Sequence, residues 1–464
     1  MAQRKKVMLL TPMLHQGGFE RVCVRTAQLL APYYDVTVVL FDDADIAYDV
    51  EGLKLININC PSRSGRAGKL LNLWRRVRKV KALKRRLGTE VTYSFGQTAN
   101  LVNSYARVHD RTICSIRSYL DLDNPEKIRI FCRRADEIAC CSAQIEREIR
   151  EKYGCGRTFT LYNPIRLPEK QNGGAADTSL PEQPAAESCA AAKAGEALQA
   201  GAAQTGAADF GLPPERAAAL AAFLERHPAT VMSMGREDDV KGFWHLLKAF
   251  AAMERLCRDG GAAETLPRRG LVVIGDGSFA EYRALAAALG IGEDVFFTGV
   301  SRRPSAILEN AALYALTSIH EGFPNALLEA MALGVPVIAA DCTTGPREIL
   351  APQEASAAEK TGGNAADSTA AARGYKIAAN SATAVNAAVK SARDCAYGIL
   401  LPPFSPEKNL DAAVCTDEER ALAREMMRLL SDEELRRHYG QAAARRARDF
   451  SEEAYVEQCR ARFG

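Results

Sequence analysis

The chain has 464 residues, of which 47% are hydrophobic and 25% charged, and its formal net charge at pH 7 is +3. This length accommodates two domains with separate cores, and the composition excludes a disordered or fibrous protein. The thirteen cysteines are odd in number and form no C-x-x-C pair, which argues against a disulfide framework or a zinc site. The apolar run near the N-terminus, about seven residues long, is too short for a signal peptide or a spanning helix. We therefore expect a cytoplasmic protein.

The first 165 residues alternate between apolar, strand-like runs and helical sequence. Residues 7–11 and 35–41 have the pattern of buried strands, and residues 21–31 between them have that of an amphipathic helix. Further strand-like runs follow at 91–95, 111–116 and 137–142. The alternation predicts an N-terminal, doubly wound α/β domain over residues 1–165.

A second alternating series begins at residue 230. Its predicted strands are TVMSMG, LVVIGD, VFFTG, YALTS and PVIAA, with helical sequence between several of them. A later strand, GILLPP at 398–403, and helices over 418–450 complete the series. The pattern predicts a second parallel sheet in a C-terminal domain over 210–445, followed by a helix at 446–464 that returns to the N-terminal domain.

Two segments differ from both series in composition. Residues 171–209, within a linker over 166–209, and residues 352–394 are rich in Ala and Gly and contain almost no large apolar side chains. Such sequence buries too little apolar area to offset an ordering entropy of roughly 1–2 kcal/mol per backbone residue. We predict that both are solvated inserts.

Glycine-containing and polar loops follow four of the predicted strands. Gly17 and Gly18 follow the first strand, where backbone N–H groups at a helix N-terminus favour phosphate. Three loops of the second series contain Arg236 with Lys241, Asp276 with Gly277, and the region around Glu321. Ligands collect at the carboxyl ends of strands in open parallel sheets. Each feature alone is as well explained by an ordinary loop, but their shared position favours one ligand site.

The most specific segment is HEGFPNALLEAMALGVPVIAAD, residues 320–341. It predicts a helix over 325–333 that Gly334 ends, with Glu321 in the preceding loop and Glu329 about one turn into the helix. Both carboxylates can face one crevice, although acids near a helix N-terminus are also common as surface charges. Carboxylates accept hydrogen bonds from sugar hydroxyls, and cations with backbone donors bind a diphosphate. The combination predicts a nucleotide-sugar site.

These motifs resemble the retaining GT-B glycosyltransferases of family 4, also called glycosyl transferases group 1. The motifs of the C-terminal domain are GRxxxxKG (235–242), VIGDG (273–277), FTG (297–299) and EGFPNALLEAMALGVPVIA (321–339). GGFERV (17–22) and the connecting YNPI (162–165) are similar to the same family. The resemblance covers the chain outside the two inserts. It implies the GT-B fold, in which two Rossmann-like domains face a cleft.

The resemblance also implies residue roles. Glu321 would hold hydroxyls of the donor sugar and shield the developing oxocarbenium charge, and Glu329 would bind the nucleotide ribose. Arg236 and Lys241 would neutralise the diphosphate leaving group, so that neither a metal nor another cofactor is needed. The other implied donor contacts are Gly17, Gly18, Gly275, Asp276, Gly277, Phe323, Pro324 and Asn325.

One position departs from the family pattern. Many members carry a His at the end of an N-terminal-domain strand that touches the donor sugar, whereas this chain has Arg117 at the equivalent place. Arg117 is therefore a candidate contact for donor or acceptor, or the partner of a nearby acid. Asp121 and Asp123 resemble the metal-binding D-x-D of the other glycosyltransferase fold, but their position favours a surface loop. His109 is interpreted as a surface histidine.

Residues 66–86 contain ten Lys or Arg and no acid. The spacing predicts a helix with an apolar stripe that packs on the N-terminal sheet, formed by Leu70, Leu73, Trp74, Val77, Val80 and Leu87. Its basic outer face suits an anionic membrane surface. Nucleic acid is the alternative partner, but no recognised nucleic-acid module accompanies the patch.

We therefore predict a retaining, metal-independent glycosyltransferase that uses a nucleotide-diphospho sugar, with UDP as the expected nucleotide. Its acceptor would be a glycan or a lipid-linked molecule in cell-surface polysaccharide assembly. Two alternatives stay open. One is a sugar epimerase or phosphorylase of the same fold, and the other is a non-catalytic binder of anionic surfaces built on a degenerate transferase.

Overall fold

A computed structural model of the chain describes residues 4–15, 17–168, 209–259, 267–352 and 392–464. These residues form two α/β domains, each built on a seven-stranded sheet. The two doubly wound domains predicted from the alternating pattern are therefore confirmed. Most of both Ala-rich segments lies outside the described residues. The second of them ends earlier than predicted, because a short strand already begins at Arg393.

The N-terminal sheet has the strand order β3-β2-β1-β4-β5-β6-β7, and every pairing in it is parallel. Its strands are β1 (Lys6–Thr11), β2 (Asp35–Leu40), β3 (Lys54–Asn57), β4 (Val91–Ser94), β5 (Arg111–Ile116), β6 (Glu137–Cys140) and β7 (Thr158–Thr160). Its helices are α1 (Gly18–Leu30), α2 (Arg66–Leu87), α3 (Gln97–Tyr105), α4 (Pro125–Arg134) and α5 (Ala143–Tyr153). Strands β3 and β7 were not predicted, because both are short and neither is a continuous apolar run.

The C-terminal sheet has the order β10-β9-β8-β11-β12-β14-β13, and its edge strand β13 is antiparallel to β14. Its strands are β8 (Ala229–Met234), β9 (Arg269–Ile274), β10 (Val295–Phe297), β11 (Leu313–Leu316), β12 (Val337–Ala340), β13 (Arg393–Cys395) and β14 (Gly398–Leu401). The helices before β14 are α6 (Pro214–Arg226), α7 (Phe243–Asp259), α8 (Ala280–Ala288), α9 (Pro304–Leu308), α10 (Asn325–Ala332) and α11 (Pro346–Leu350). After β14 come α12 (Asp417–Ser431), α13 (Glu433–Ala447) and α14 (Glu452–Phe463).

The central strands are apolar on both faces because helices cover both sides of each sheet. Along β1, Val7 and Leu9 belong to the hydrophobic cluster on one face, whereas Met8 and Leu10 belong to the cluster on the other. All four side chains are buried. Continuous apolar runs in the sequence therefore indicated strands that are buried on both faces. A strand with one face in solvent would alternate apolar and polar residues.

The C-terminal helix α14 lies against the N-terminal sheet. The Tyr455 hydroxyl is 2.7 Å from the Thr26 hydroxyl, and the ring of Phe463 packs 5.8 Å from that of Tyr93. A parallel bridge joins Ile165 to Ser451, so the chain connects the domains twice within a short distance.

Helix α2 differs from its predicted packing. Val80 is buried and Leu73, Val77 and Leu87 pack partly against the core, but Leu70 and Trp74 are 70% and 54% exposed. Two of the cations, in contrast, are buried. Arg76 donates to the Cys60 carbonyl, and Lys84 lies 2.7 Å from Asp110. The prediction of one apolar stripe was wrong at Leu70 and Trp74, because the inner face of the first turns includes Asn72 and Arg76, which donate to the carbonyls of the preceding loop.

Candidate functional site

The loops that follow β8 and β9 in the C-terminal domain pack closely against each other. At Gly275, with φ 154°, an added Cβ would lie 1.9 Å from the carbonyl oxygen of Gly235. At Gly277, with φ 143°, it would lie 2.3 Å from the Glu237 side chain. These glycines permit a backbone approach that no other residue allows. Asp276, between them, is exposed at the same strand end.

Lys241 and Glu321 form an ion pair at this edge of the sheet. Lys241 ends a short 3-10 turn after β8, and its Nζ lies 2.7 Å from Glu321 Oε1. The Ser318 hydroxyl donates to the same carboxylate oxygen at 2.7 Å. Gly242 brings the two loops together, since a Cβ there would lie 2.3 Å from the Thr317 carbonyl oxygen. The structure thus joins two of the predicted catalytic residues in one contact.

Glu329 faces the N-terminal domain. It lies in α10, which begins after Pro324 and precedes Gly334, a residue with a left-handed φ of 73°. Its side chain is 9% exposed and contacts the guanidinium of Arg21 in α1 at 2.7 Å. This carboxylate is the leading cause of a raised pKa at Arg21. Arg21 was not a predicted site residue, and it bridges the two sides of the cleft.

Arg236 is exposed and faces the N-terminal domain across the cleft. No hydrogen bond or ion pair engages it within the described ranges. The buried Glu20 carboxyl lies close enough to Arg236 for the positive charge of the guanidinium to affect its pKa. Burial raises the pKa of Glu20, while a backbone hydrogen bond and the charge of Arg236 act in the opposite direction. Arg236 is therefore available to an anionic ligand that enters the cleft.

The two glycines after β1 differ in their surroundings. The Gly17 amide donates to the Tyr48 hydroxyl at 2.7 Å, and a Cβ on Gly17 would lie 2.2 Å from a Glu20 carboxylate oxygen. Gly18, at the first position of α1, has no neighbour within 4 Å of an added Cβ. The space for a ligand is therefore at Gly18, whereas in this structure Gly17 serves local packing.

The turn Phe323–Pro324–Asn325 contacts the connection between the domains. The Phe323 ring stacks on Tyr162 with centroids 4.7 Å apart. The amide of Asn163 donates to the Phe323 carbonyl at 3.2 Å and to Asn325 Oδ1 at 2.7 Å. The turn is thus held from the N-terminal side as well as by its own helix.

Arg117 does not extend into the cleft. It is half-buried in the N-terminal domain, where its guanidinium donates to Asn163 Oδ1 at 2.8 Å and to the Tyr93 hydroxyl. Its side chain is therefore not a direct donor contact in this structure. Neither is it paired with an acid among the described residues.

Asp121 and Asp123 lie in a surface turn, as predicted: Asp123 is exposed and Asp121 is half-buried. Residues Tyr119–Asp123 form a 3-10 turn, and Asp121 accepts from the backbone amides of Arg117 and Ser118, each at 3.2 Å. Burial raises the pKa of Asp121. Asp121 therefore caps a turn. Over the ranges that the structure describes, no group of three or more His, Cys, Asp or Glu is arranged to hold a metal ion.

Sequence reasoning missed the residues that approach from the N-terminal domain. These are Glu20, Arg21, Tyr48 and Asn163. Glu20, Arg21 and Asn163 lie within the motifs GGFERV and YNPI, so their positions were visible. Their contacts were not, since each depends on a partner far away in the sequence.

Comparisons with known proteins show similarity to glycosyltransferases. Residues 221–391 match the family described as glycosyl transferases group 1. The chain is 29% identical over 231 residues to an uncharacterized glycosyltransferase of Methanocaldococcus jannaschii, a match that covers 49% of this chain and 47% of the relative. It is 22% identical over 358 residues to the Campylobacter jejuni N-acetylgalactosamine-N,N'-diacetylbacillosaminyl-diphospho-undecaprenol 4-alpha-N-acetylgalactosaminyltransferase, covering 74% of this chain and 82% of the relative. The chain spans about half the length, or less, of the first curated relatives that it matches.

The fold has close counterparts among solved structures. Anabaena HepE, solved in complex with UDP-glucose, superimposes with a TM-score of 0.62 at 16% identity, over 98% of this chain and 97% of that one. A likeness at this identity shows the fold alone. Together the comparisons support a glycosyltransferase. The chain has the GT-B fold, as its motifs implied, and it carries a glycosyl transferases group 1 region at residues 221–391.

Proposed function

We propose that the protein is a retaining glycosyltransferase that transfers a sugar from a UDP-sugar to a lipid-linked acceptor in the assembly of a cell-surface glycan. UDP is the proposed nucleotide because HepE, which has the same fold, was solved with UDP-glucose. A lipid-linked acceptor is proposed because the Campylobacter relative is named for a diphospho-undecaprenol substrate. The proposal extends the family-level similarity to substrates of this chain.

The observation that carries the proposal is the placement of charge around the cleft. Arg236 is exposed and unengaged in the described part of the chain, and Lys241 lies beside it in the same loop, paired with Glu321. Opposite them lies the N-terminus of α1, where a Cβ added at Gly18 would meet no atom within 4 Å and where the Glu20 carboxyl accepts from its own backbone amide. This arrangement suits a diphosphate between two cations and a helix N-terminus.

The same arrangement fits the charges that develop during sugar transfer. Departure of the nucleotide leaves negative charge on the diphosphate, which Arg236 and Lys241 would stabilise before any solvent could reorganise. The sugar ring becomes positive, and the Glu321 carboxylate would face it. Since Lys241 and Glu321 are 2.7 Å apart, their opposite charges hold each other in place. We expect Glu329 to accept hydrogen bonds from the ribose hydroxyls. These bonds would replace its contact with Arg21.

A nucleotide competition assay followed by a donor-hydrolysis screen tests the proposal. UDP should compete better than GDP, ADP and CDP for the site, and one UDP-sugar should be hydrolysed slowly without an acceptor. NMR during hydrolysis should show that the sugar is released with the anomeric configuration of the donor, before mutarotation produces the other anomer. Epimerised UDP-sugar or phosphorolysis would indicate the other chemistries of this fold, and the absence of any nucleotide binding would contradict the proposal.

Metal independence is part of the same proposal. Because Arg236 and Lys241 supply the positive charge, hydrolysis of the donor should continue in the presence of EDTA. Loss of activity in EDTA with recovery on addition of manganese would contradict it.

We further propose that helix α2 docks on an anionic membrane and so presents the protein to its acceptor as a peripheral protein on the cytoplasmic face. No helix within the described ranges is long and apolar enough to cross a membrane. Leu70, Leu71 and Trp74 are half or more exposed at the first turns of α2. Four exposed cations surround them, namely Arg66, Lys69, Arg75 and Arg78. Apolar side chains beside cations suit the headgroup region of a bilayer.

The location of this patch favours a role near the cleft. Helix α2 follows β3, whose carboxyl end lies at the same sheet edge as that of β1, before Gly18. The first turns of α2 therefore lie at the cleft edge of the domain. Arg76, Lys79 and Lys84 are excluded from the docking surface, because they bond to Cys60, Ile58 and Asp110 within the fold.

Vesicle sedimentation tests this partner. Each exposed cation contributes about 1 kcal/mol near an anionic surface. Changing Arg66, Lys69, Arg75 and Arg78 to Gln should therefore weaken binding to phosphatidylglycerol vesicles by orders of magnitude while the fold persists. The double change Arg85→Gln and Arg86→Gln, at the far end of the same helix, is the control and should have a much smaller effect. A parent protein that ignores anionic vesicles at low salt would contradict the proposal.

A further inference from the structure

A chain of polar contacts runs from the interior of the N-terminal domain to the turn before α10. We propose that Arg117 and Asn163 are positioning residues that form a latch between the domains and fix the turn Phe323–Pro324–Asn325 against the cleft. This inference rests on the proposed function, because the turn matters most if its backbone faces a nucleotide diphosphate. In this proposal Arg117 positions the turn through Asn163 and does not contact the donor.

The geometry of the latch is continuous. Arg117 Nη1 donates to Asn163 Oδ1 at 2.8 Å, and Asn163 Nδ2 donates to the Phe323 carbonyl at 3.2 Å. The same nitrogen lies 2.7 Å from Asn325 Oδ1, at the first residue of α10. Only one orientation of the Asn163 amide is possible, because a guanidinium can only donate and a carbonyl can only accept. Asn163 therefore transmits the position of Arg117 to the turn.

The backbone at Arg117 makes a second contact with the same turn. A Cβ added at Gly322 would lie 2.2 Å from the Arg117 carbonyl oxygen and 3.0 Å from the Ser118 Cα. The backbones of the two domains are therefore in direct contact immediately before Phe323. This close approach and the hydrogen bonds through Asn163 come from different atoms and hold the same segment.

Arg117 is half-buried and has no carboxylate partner among the described residues. A buried guanidinium is costly when no carboxylate offsets its charge. Arg117 is instead held by neutral groups: it donates to the Tyr93 hydroxyl, to Asn163 Oδ1 and, at 3.4 Å, to the Leu161 carbonyl. Its guanidinium also lies 5.4 Å from the centre of the Phe95 ring, and its Nε has no hydrogen-bond partner among the described residues. An apolar residue of similar volume would pack the same space at lower cost. A charged donor with a rigid fork is useful here because it orients Asn163.

The change Asn163→Asp separates positioning from stability. An aspartate has nearly the same shape and gains a charged partner in Arg117, so thermal stability should be retained or raised. It cannot donate to the Phe323 carbonyl, and the two oxygens would repel. We expect hydrogen exchange over residues 320–333 to accelerate about tenfold, with no change over residues 7–11. Asn310→Asp, on an exposed helix end of the C-terminal domain, is the matched control and should leave both segments unchanged.

Nucleotide binding supplies the second readout. UDP differs from UMP by the β-phosphate, which the turn would face, so Asn163→Asp should reduce the preference for UDP over UMP about tenfold. Affinity for UMP should stay within about twofold of the parent value. Arg117→Lys keeps the positive charge but loses the planar guanidinium. It should accelerate hydrogen exchange over residues 320–333 and reduce the preference for UDP over UMP, as Asn163→Asp does. This variant replaces Asn163→Asp in the test if the aspartate variant does not fold.

The outcomes distinguish the latch from the proposed function. Unchanged exchange over residues 320–333 in folded Asn163→Asp or Arg117→Lys protein would overturn the latch, whatever the nucleotide data show. If the parent binds no UDP but exchange still accelerates in the variant, the latch stands and the proposed function fails.

Discussion

The two sides of the cleft are built differently. On the C-terminal side, loops after β8, β9 and β11 pack directly on one another, and their glycines are fixed by backbone contacts such as Gly275 against Gly235. On the N-terminal side, the cleft is defined by side chains that reach distant partners, as Arg21 reaches Glu329. One side is a preformed rigid surface, and the other is a set of contacts that depend on how the domains meet.

This difference indicates a division of labour. Rigid loops that carry Lys241 and Glu321 can stabilise charge without rearrangement, which is where preorganisation lowers a barrier. On the N-terminal side, the Arg21–Glu329 contact can break and reform when ligands enter. Changes on the C-terminal side should therefore cost more than changes on the N-terminal side.

The largest effect is expected at Gly275. Gly275→Ala places a methyl group 1.9 Å from the Gly235 carbonyl oxygen at a φ of 154°, so the two loops must separate. We expect the free energy of unfolding to fall by about 3 kcal/mol, as measured by urea denaturation. Gly18→Ala, which meets no atom within 4 Å, is the control and should stay within about 0.5 kcal/mol of the parent. Equal stability of the two variants would refute the rigid C-terminal side.

The next largest effect is expected at the two cations. Arg236→Ala and Lys241→Ala each remove a charged contact of roughly 1.5–3 kcal/mol, so turnover should fall about ten- to a hundredfold in either variant. Steady-state kinetics with the preferred donor measure this. Arg437→Ala removes an exposed cation that pairs with Glu433 on the surface, and it should leave turnover unchanged. Turnover within about threefold of the parent in both cleft variants would be incompatible with their assigned role.

A smaller and asymmetric effect is expected across the Arg21–Glu329 contact. Glu329→Ala removes the proposed ribose acceptor and should weaken UDP binding about tenfold. Arg21→Ala removes only the partner that the ribose would displace, so UDP affinity should stay within about threefold of the parent. Glu321→Ala should mainly lower turnover. Calorimetry on the three variants measures the asymmetry, and an equal loss for Arg21 and Glu329 would show that the N-terminal side also binds the donor.

The smallest effect is expected from the first Ala-rich segment. Its composition cannot supply a core, so replacing residues 173–207 with a short Gly/Ser linker should leave the melting temperature nearly unchanged. Differential scanning calorimetry of the two proteins provides the comparison. A lower melting temperature or a loss of donor binding would show that this segment packs on a domain.

The sequence predicted the rigid side of the cleft better than the adaptable side for a physical reason. The Gly-Phe-Pro-Asn turn, the helix that begins at Asn325 and the glycines at 275 and 277 are local features with strict backbone requirements, and these leave a pattern in the sequence. The direction of the Arg117 side chain has no such pattern. It depends on the space around Tyr93 and Asn163, which only the assembled domains create.

Helix α2 shows the same limit. Helical periodicity identified an amphipathic helix, and the later turns pack as predicted through Val80 and its neighbours. Periodicity could not show that Asn72 and Arg76 face inward in the first turns and leave Leu70 and Trp74 exposed. Nor could it show that Lys84 is buried with Asp110, since the sequence distance of 26 residues hides the pairing.

The most direct test of the central claim is the preference of the protein for UDP over uridine, measured by calorimetric titration. We predict that the parent prefers UDP by several orders of magnitude, because Arg236 and Lys241 would recognise the diphosphate. The double variant Arg236→Ala, Lys241→Ala should lose most of this preference while its affinity for uridine is unchanged. Equal affinity of the parent for UDP and uridine, or the same preference in the double variant, would contradict the claim that these two residues form a diphosphate site.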